Sequence, residues 1–218
     1  MKIKEITAFP IRIPREKSDE GKDRPSVIDY GDYFVDAEVF TSIYSKHHET
    51  TVIKIETDTG IVGWGEAQSP VSPRTTQAIV EDLVRPLILG RDPFDIEAIW
   101  TRNYGAMRER GHPTGFYVDA IGGTDTALWD IVGKATGKPV HKLAGGRYRD
   151  RIKLYVGMGG TDPEKVADTA EEHVGYGYTA LKLHLLLDAD GVAEIARAVR
   201  KRVGPGIMLM CDVHMRQS

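Results

Sequence analysis

The sequence predicts an α/β protein in two parts: an α+β domain over roughly the first 140 residues, then a run of parallel βαβ units. Three observations carry this prediction. Alternating strand-like segments near the N-terminus give way to three stretches of helical period, the order of an α+β domain. From Arg151 the chain reads strand, helix, strand, helix, strand at about thirty residues per unit, the βαβ rhythm. The right-handed crossover rule then makes those strands parallel. Finally, 218 residues with 41% apolar and 28% charged content suit a folded chain with a substantial core, not a disordered one.

The first part is justified element by element. In residues 2–13, Ile3, Ile6, Ala8, Ile11 and Ile13 punctuate polar positions, a strand ended by Pro14. Residues 15–34 are charged, then aromatic, without a period; they read as a long, mobile loop, either a functional lid or a floppy surface insertion. Residues 51–57 alternate through Val52, Ile53 and Ile55, Asp58-Thr59-Gly60 turns, and 61–67 return as a hairpin. Residues 68–73 form a short Ser/Pro loop. A helix is expected over about 75–89, with Ala78, Ile79, Leu83, Val84 and Leu87 on one face and Pro86 bending its end. A second helix starts from Asp92-Pro93, as cap and first-turn proline, and carries Ile96, Ile99, Trp100 and Met107. A third spans about 118–136 and is stopped by Gly137 and Pro139.

The second part follows the same logic. Residues 152–156 read as a strand, and Thr161-Asp162-Pro163-Glu164 starts a helix that runs to Val174. Residues 178–185 are a strand. Residues 188–203 are a helix, with Val192, Ile195, Ala196, Val199 and Val203 inward, and Gly204-Pro205-Gly206 breaks it. Residues 207–213 are a third strand, whose run Ile207-Met208-Leu209-Met210-Cys211 fits burial on both faces. A complete (β/α)8 barrel takes about 250 residues, so three strands are at most its beginning.

Composition narrows the function classes. A formal net charge of −3 argues against a basic nucleic-acid or membrane-surface footprint. With Cys211 the single cysteine, neither an intramolecular disulfide nor a Cys-based zinc site is possible. No apolar run reaches the roughly 18 residues of a membrane span, and the N-terminus does not read as a signal peptide. A cytoplasmic location is expected by default.

Chemistry is sought where parallel α/β folds place it, at the C-terminal ends of the strands. The second strand of the repeat ends Leu181-Lys182-Leu183-His184, so Lys182 and His184 share a face and the leucines take the other. The third ends Asp212-Val213-His214, again with two polar groups on one face. Each residue alone has a structural reading: Lys182 a snorkelling lysine, Asp212 a helix N-cap, His184 and His214 hydrogen-bonded structural histidines, Cys211 a core residue. Trp64 and Glu66 read as hairpin packing. What raises a functional reading is the joint pattern, since a Lys or Asp buried there without a partner is costly.

The segment Ala120-Ile121-Gly122-Gly123-Thr124-Asp125-Thr126-Ala127-Leu128-Trp129-Asp130-Ile131-Val132-Gly133-Lys134, continuing to Val140, closely resembles the linker helix of the enolase superfamily in its mandelate racemase/muconate-lactonizing branch. Leu143-Ala144-Gly145-Gly146 and the hairpin from Thr57 to Gly63-Trp64-Gly65-Glu66 resemble that branch too. The resemblance runs in order along the chain. It implies an N-terminal α+β capping domain (1–140), with a lid at 15–34 and a second substrate-facing loop at 68–73. The first part of a TIM-like (β/α) barrel, about three strands, then follows at 141–218.

The resemblance also implies roles. Lys182 matches the first lysine of a Lys-x-Lys base pair, and His184 stands where the second base is found. Asp212 matches the first of three acidic Mg²⁺ ligands. His214 resembles the histidine of acid-sugar dehydratases that protonates the departing hydroxyl. Lys or His bases working with Mg²⁺ are established for enolase-superfamily sites. The implied substrate is a small carboxylate, a sugar acid, with self-association into a homo-oligomer and no nucleic-acid or membrane partner. The chain departs from the pattern in having His184 for the commoner lysine, and in lacking the two further metal ligands and strands four to eight. The leading expectation is therefore the N-terminal part of an acid-sugar dehydratase, a lyase inactive as this chain alone. Its rivals are a racemase, epimerase or cycloisomerase of the same branch, and a non-catalytic truncated protein that pairs its exposed edge strand with another chain.

Overall fold

The computed structural model describes residues 1–15, 27–36, 40–185 and 187–212. The chain forms two compact units, Met1–Arg147 and Tyr148–Ser218. The division falls after residue 140, because Leu143 packs against the core of the first unit.

In the first unit, β1 (Ile3–Pro14) pairs antiparallel with β5 (His47–Thr57), which pairs in turn with β6 (Val62–Ala67). A register shift between Ile3 and Glu5 lets Ile3 and Ile6, three residues apart, both turn inward at 1% exposure. With Ala8, Ile53, Ile55 and Ala67 they form the inner face of the sheet, and the long helix over Phe116–Thr136 lies against it.

Between β1 and β5 lies a second sheet, β2 (Val27–Asp29), β3 (Tyr33–Asp36) and β4 (Phe40–Ser45), in that order. The expected loop at 15–34 is therefore corrected over its second half: 27–29 and 33–34 are strand, while 16–26 lie outside the described residues. The turn is made by Asp29, whose Oδ1 accepts from the Gly31 N–H at 2.8 Å, with Gly31 at φ 83. Strands this short carry too few residues for a readable period.

The first helical stretch is α1 (Pro73–Ile79), a π turn (Val80–Val84) and α2 (Arg85–Ile88). Its inward stripe is Thr76, Val80, Val84 and Ile88; Leu83, expected inward, is exposed at 36%. A strict four-residue repeat drifts around a 3.6-residue helix, and the wider π turn takes up that drift. Pro86, which has no N–H to donate to the preceding turn, follows the wide segment. Helix α3 (Ile96–Arg108) starts from Asp95, not from Asp92-Pro93. Asp92 instead accepts from the Phe94 N–H at 3.0 Å and closes a local turn ahead of the helix.

Helix α4 (Phe116–Thr136) ends at Gly137 in the left-handed conformation, φ 63. It meets β6 backbone to backbone. A Cβ on Gly65 would collide with the Gly123 carbonyl oxygen, and one on Gly123 would sit 2.7 Å from the Ala67 nitrogen. The free edge of β6 is closed by α4 side chains: Asp130 Oδ2 accepts from the Trp64 N–H, and Lys134 Nζ donates to the Val62 carbonyl, both at 2.8 Å. The one-turn α5 (Val140–Leu143) follows.

The second unit is a three-stranded parallel sheet in the order β7 (Val156–Met158), β8 (Ala180–His184), β9 (Met208–Asp212). Helices α6 (Pro163–Gly175) and α7 (Ala189–Val203) are each capped by an aspartate, Asp162 and Asp188. Their apolar faces enclose Leu181, Leu183 and Leu185 with Ile195 and Val199. The strand expected at 152–156 is displaced: Ile152 and Leu154 are exposed, and pairing begins only where Val156 meets Leu181. The expectation of a third strand buried on both faces, with Cys211 in the core, also fails. Met208 and Cys211 are exposed, because among the described residues β9 is an edge strand with one neighbour. Among the described residues no helix is long and apolar enough to cross a membrane.

Candidate functional site

Alternation along β8 sorts its residues. Leu181, Leu183 and Leu185 are at most 1% exposed within the core, so Lys182 and His184 stand on the opposite face. The parallel register sets Lys182 beside Met210 and His184 beside Asp212. Met210 and Asp212 are two apart, so all four occupy one face, at the C-terminal end of the sheet. Lys182 Nζ lies 2.8 Å from Asp212 Oδ2, a charge-assisted bond with both side chains about one-third exposed. The structure thus brings together Lys182, His184 and Asp212. His214 lies outside the described residues.

Tyr155 was not singled out from the sequence. Lys182 Nζ sits 6.0 Å from its ring centroid, cation–π range. Only the register reveals it: Gly157 pairs with Lys182, and the position two residues before Gly157 shares that face when the backbone stays extended. On the other strand flank, a Cβ on Gly159 would meet the His184 carbonyl oxygen at 2.8 Å, so the end of β7 turns tightly against the end of β8.

The Asp212 carboxylate, by hydrogen bonding, holds the Lys182 ammonium above its ordinary value of 10.5. This is opposite in direction to the lowered pKa that a neutral base near pH 7 requires. While the pair persists, Lys182 is the proton-bearing partner. Among the described residues no three His, Cys, Asp or Glu side chains converge as metal ligands. One carboxylate already bonded to an ammonium is not the near-octahedral oxygen shell that Mg²⁺ demands, so the described residues do not by themselves fit that ion.

In the hairpin, Trp64 is half exposed, with its ring 6.2 Å from Phe9 and 5.9 Å from Lys54 Nζ. Glu66 Oε1 accepts from Thr50 Oγ1 at 2.7 Å. Both side chains make the cross-strand contacts of a packed hairpin.

Three comparisons bear on this geometry. The family profile described as mandelate racemase / muconate lactonizing enzyme, N-terminal domain, matches residues 36–145. A D-galactonate dehydratase of Verminephrobacter eiseniae is 41% identical over 147 residues, covering 67% of this chain and 37% of that protein. A D-galactonate dehydratase of Pectobacterium atrosepticum is 39% identical over 173 residues, covering 75% and 44%. The crystal structure of an enolase-superfamily member from Agrobacterium tumefaciens superposes with a TM-score of 0.90 at 30% identity, over 99% of this chain and 56% of that one. The chain thus spans less than half the length of the curated relatives it matches.

Proposed function

This chain belongs to the mandelate racemase / muconate lactonizing enzyme family, and from that premise we propose that the whole protein is a lyase that dehydrates a sugar acid. The observation carrying the reading is the convergence of Lys182, His184 and Asp212 on one face at the C-terminal end of the parallel sheet. The sugar-acid class is supported by relatives named D-galactonate dehydratase.

In the proposed reaction, a base at Lys182 or His184 takes the proton from the carbon next to the substrate carboxylate. The C–H electron pair becomes that of an enediolate. The pair then moves to form the carbon–carbon double bond as the neighbouring hydroxyl leaves. His214 gives that hydroxyl its proton, so water departs and the resulting enol becomes a 2-keto-3-deoxy acid. Lys182 acts as the base only after Asp212 releases it, since the bond between them stabilises the ammonium.

Dependence on Mg²⁺ belongs to the proposal for the whole protein, with Asp212 as one ligand and the others drawn from outside the described residues. A cytoplasmic homo-oligomer that acts on a small carboxylate, with neither nucleic acid nor membrane as partner, completes the proposal.

The test incubates the whole protein with Mg²⁺ and a panel of epimeric aldonic and aldaric acids in D₂O. The expected product is a 2-keto-3-deoxy acid from one configuration at C2. Deuterium exchange or epimerisation without keto acid would make the protein an isomerase instead. Neither product from any member of the panel would leave the non-catalytic reading standing.

A further inference from the structure

We propose that Tyr155 is a positioning residue: its ring holds the Lys182 side chain from the strand flank opposite Asp212, and so orients the ammonium that forms when Lys182 takes the substrate proton. The inference rests on the reading of Lys182 as the base of a sugar-acid lyase, and deepens it by naming a residue that aims that base.

Lys182 lies on the middle strand, β8, with β7 on one side and β9 on the other. The register sets Gly157 of β7 and Met210 of β9 beside it. Toward β9 it bonds Asp212 Oδ2 at 2.8 Å. Toward β7 the paired position has no side chain, and a Cβ on Gly157 would meet nothing within 4 Å. Val156 and Met158 pack into the leucine core, so that strand turns them away from Lys182. What reaches Lys182 from the β7 flank is the Tyr155 ring, its centroid 6.0 Å from Nζ.

A lysine ammonium is a point charge on a flexible four-carbon stem, so one partner leaves its place loosely set once that partner lets go. Lys182 acts as a base only when Asp212 has released it, and the ring is the contact that remains. The negative face of an aromatic ring attracts a cation without the full charge of a carboxylate. That attraction acts on the ammonium, the form Lys182 reaches as it accepts the proton. An interaction that strengthens as charge develops raises turnover and leaves substrate binding nearly alone. The empty position at Gly157 puts no side chain of the paired residue between ring and stem. Tyr155 itself is half exposed, so its ring is a surface beside the base and not part of the leucine core.

The experiment is Tyr155→Leu in the whole protein, which removes the ring and keeps an apolar side chain. The kcat for the sugar acid is expected to fall about two- to fivefold, the worth of one cation–π contact at a partly exposed site, with KM nearly unmoved. The second readout is NMR of lysine labelled with carbon-13 at Cε, the Lys182 signal assigned by its loss in Lys182→Ala. Protons above an aromatic face resonate upfield, so the Lys182 ε-methylene protons should move downfield in Tyr155→Leu. Tyr155→Phe, which keeps the ring, is expected to restore that shift and most of the lost turnover. A merely structural role would lower the amount of active enzyme and leave both kcat per active site and the Lys182 signal where they were.

An unmoved Lys182 signal in Tyr155→Leu, a moved signal with unaltered kcat, a KM rise in place of the kcat loss, or a Tyr155→Phe protein as impaired as Tyr155→Leu would each overturn the proposal. A parent protein that turns over no sugar acid would defeat the functional reading, while the Lys182 signal would still decide whether the ring holds the side chain.

Discussion

Lys182 and Asp212 meet diagonally across two parallel strands: Lys182 pairs in register with Met210, Asp212 with His184, and their side chains close the gap at 2.8 Å. The two groups that would serve as base and metal ligand thus neutralise each other in this chain. Removing either one changes the protonation of the other, which makes the pair directly testable.

Asp212→Asn should lower the Lys182 pKa toward its ordinary 10.5, read by NMR titration of the Lys182 Nζ. The pairing raises the folded-state pKa of a cation, so its stabilising contribution is fully present below the unfolded value. It is lost as pH rises through the folded one. Any stability gap between parent and variant should therefore hold through neutral pH and close in strong alkali. An unmoved Lys182 titration would show that the contact does not persist in solution.

Lys182→Ala and His214→Asn in the whole protein should each cut turnover by about 10²–10⁴-fold, the usual loss of a general acid or base. Melting temperatures should barely change, since Lys182 is on the face away from the leucine core. Unchanged turnover in Lys182→Ala would return this residue to the role of a structural lysine.

The 218-residue chain should bind Mg²⁺ weakly or not at all by calorimetry, because Asp212 has no converging carboxylates among the described residues. Tight binding would mean that a shell of ligands exists elsewhere in the chain.

Two glycine substitutions one residue apart on α4 should act in opposite directions. A Cβ at Gly123 would lie 2.7 Å from the Ala67 nitrogen and 2.9 Å from the Ile53 Cδ1, so Gly123→Ala should destabilise by about 1–3 kcal/mol, the ordinary range for overpacking. A Cβ at Gly122 meets nothing within 4 Å, so Gly122→Ala should stabilise by about 0.5–1 kcal/mol through helix propensity. Urea midpoints of the two variants on either side of the parent would verify this; a stabilised Gly123→Ala would refute the close approach of α4 to β6.

Much of the architecture is local and was therefore visible in the chain itself. Alternation in 2–13 and 178–185, the Asp162 and Asp188 caps and the Gly137 stop act within a turn or a pleat, and the observed β1, β8, α4, α6 and α7 follow them closely. Parity did the same for the site, since two residues on one strand share a face whatever lies around them. Lys182 and His184 therefore stand opposite the leucines, as expected.

Other features needed partners distant in sequence. Val27–Asp29 is a strand because β3 supplies its hydrogen bonds, and 152–155 lie outside the β7–β8 ladder, which starts only where Val156 meets Leu181. Ser72 holds its left-handed turn beside a tyrosine 39 positions away, and Cys211 is exposed because β9 has one neighbour among the described residues. Pattern, caps and parity belong to neighbouring residues and are legible in their order. Register, edge position and the Lys182–Asp212 bond depend on which strands come to lie side by side, and only the packed chain decides that.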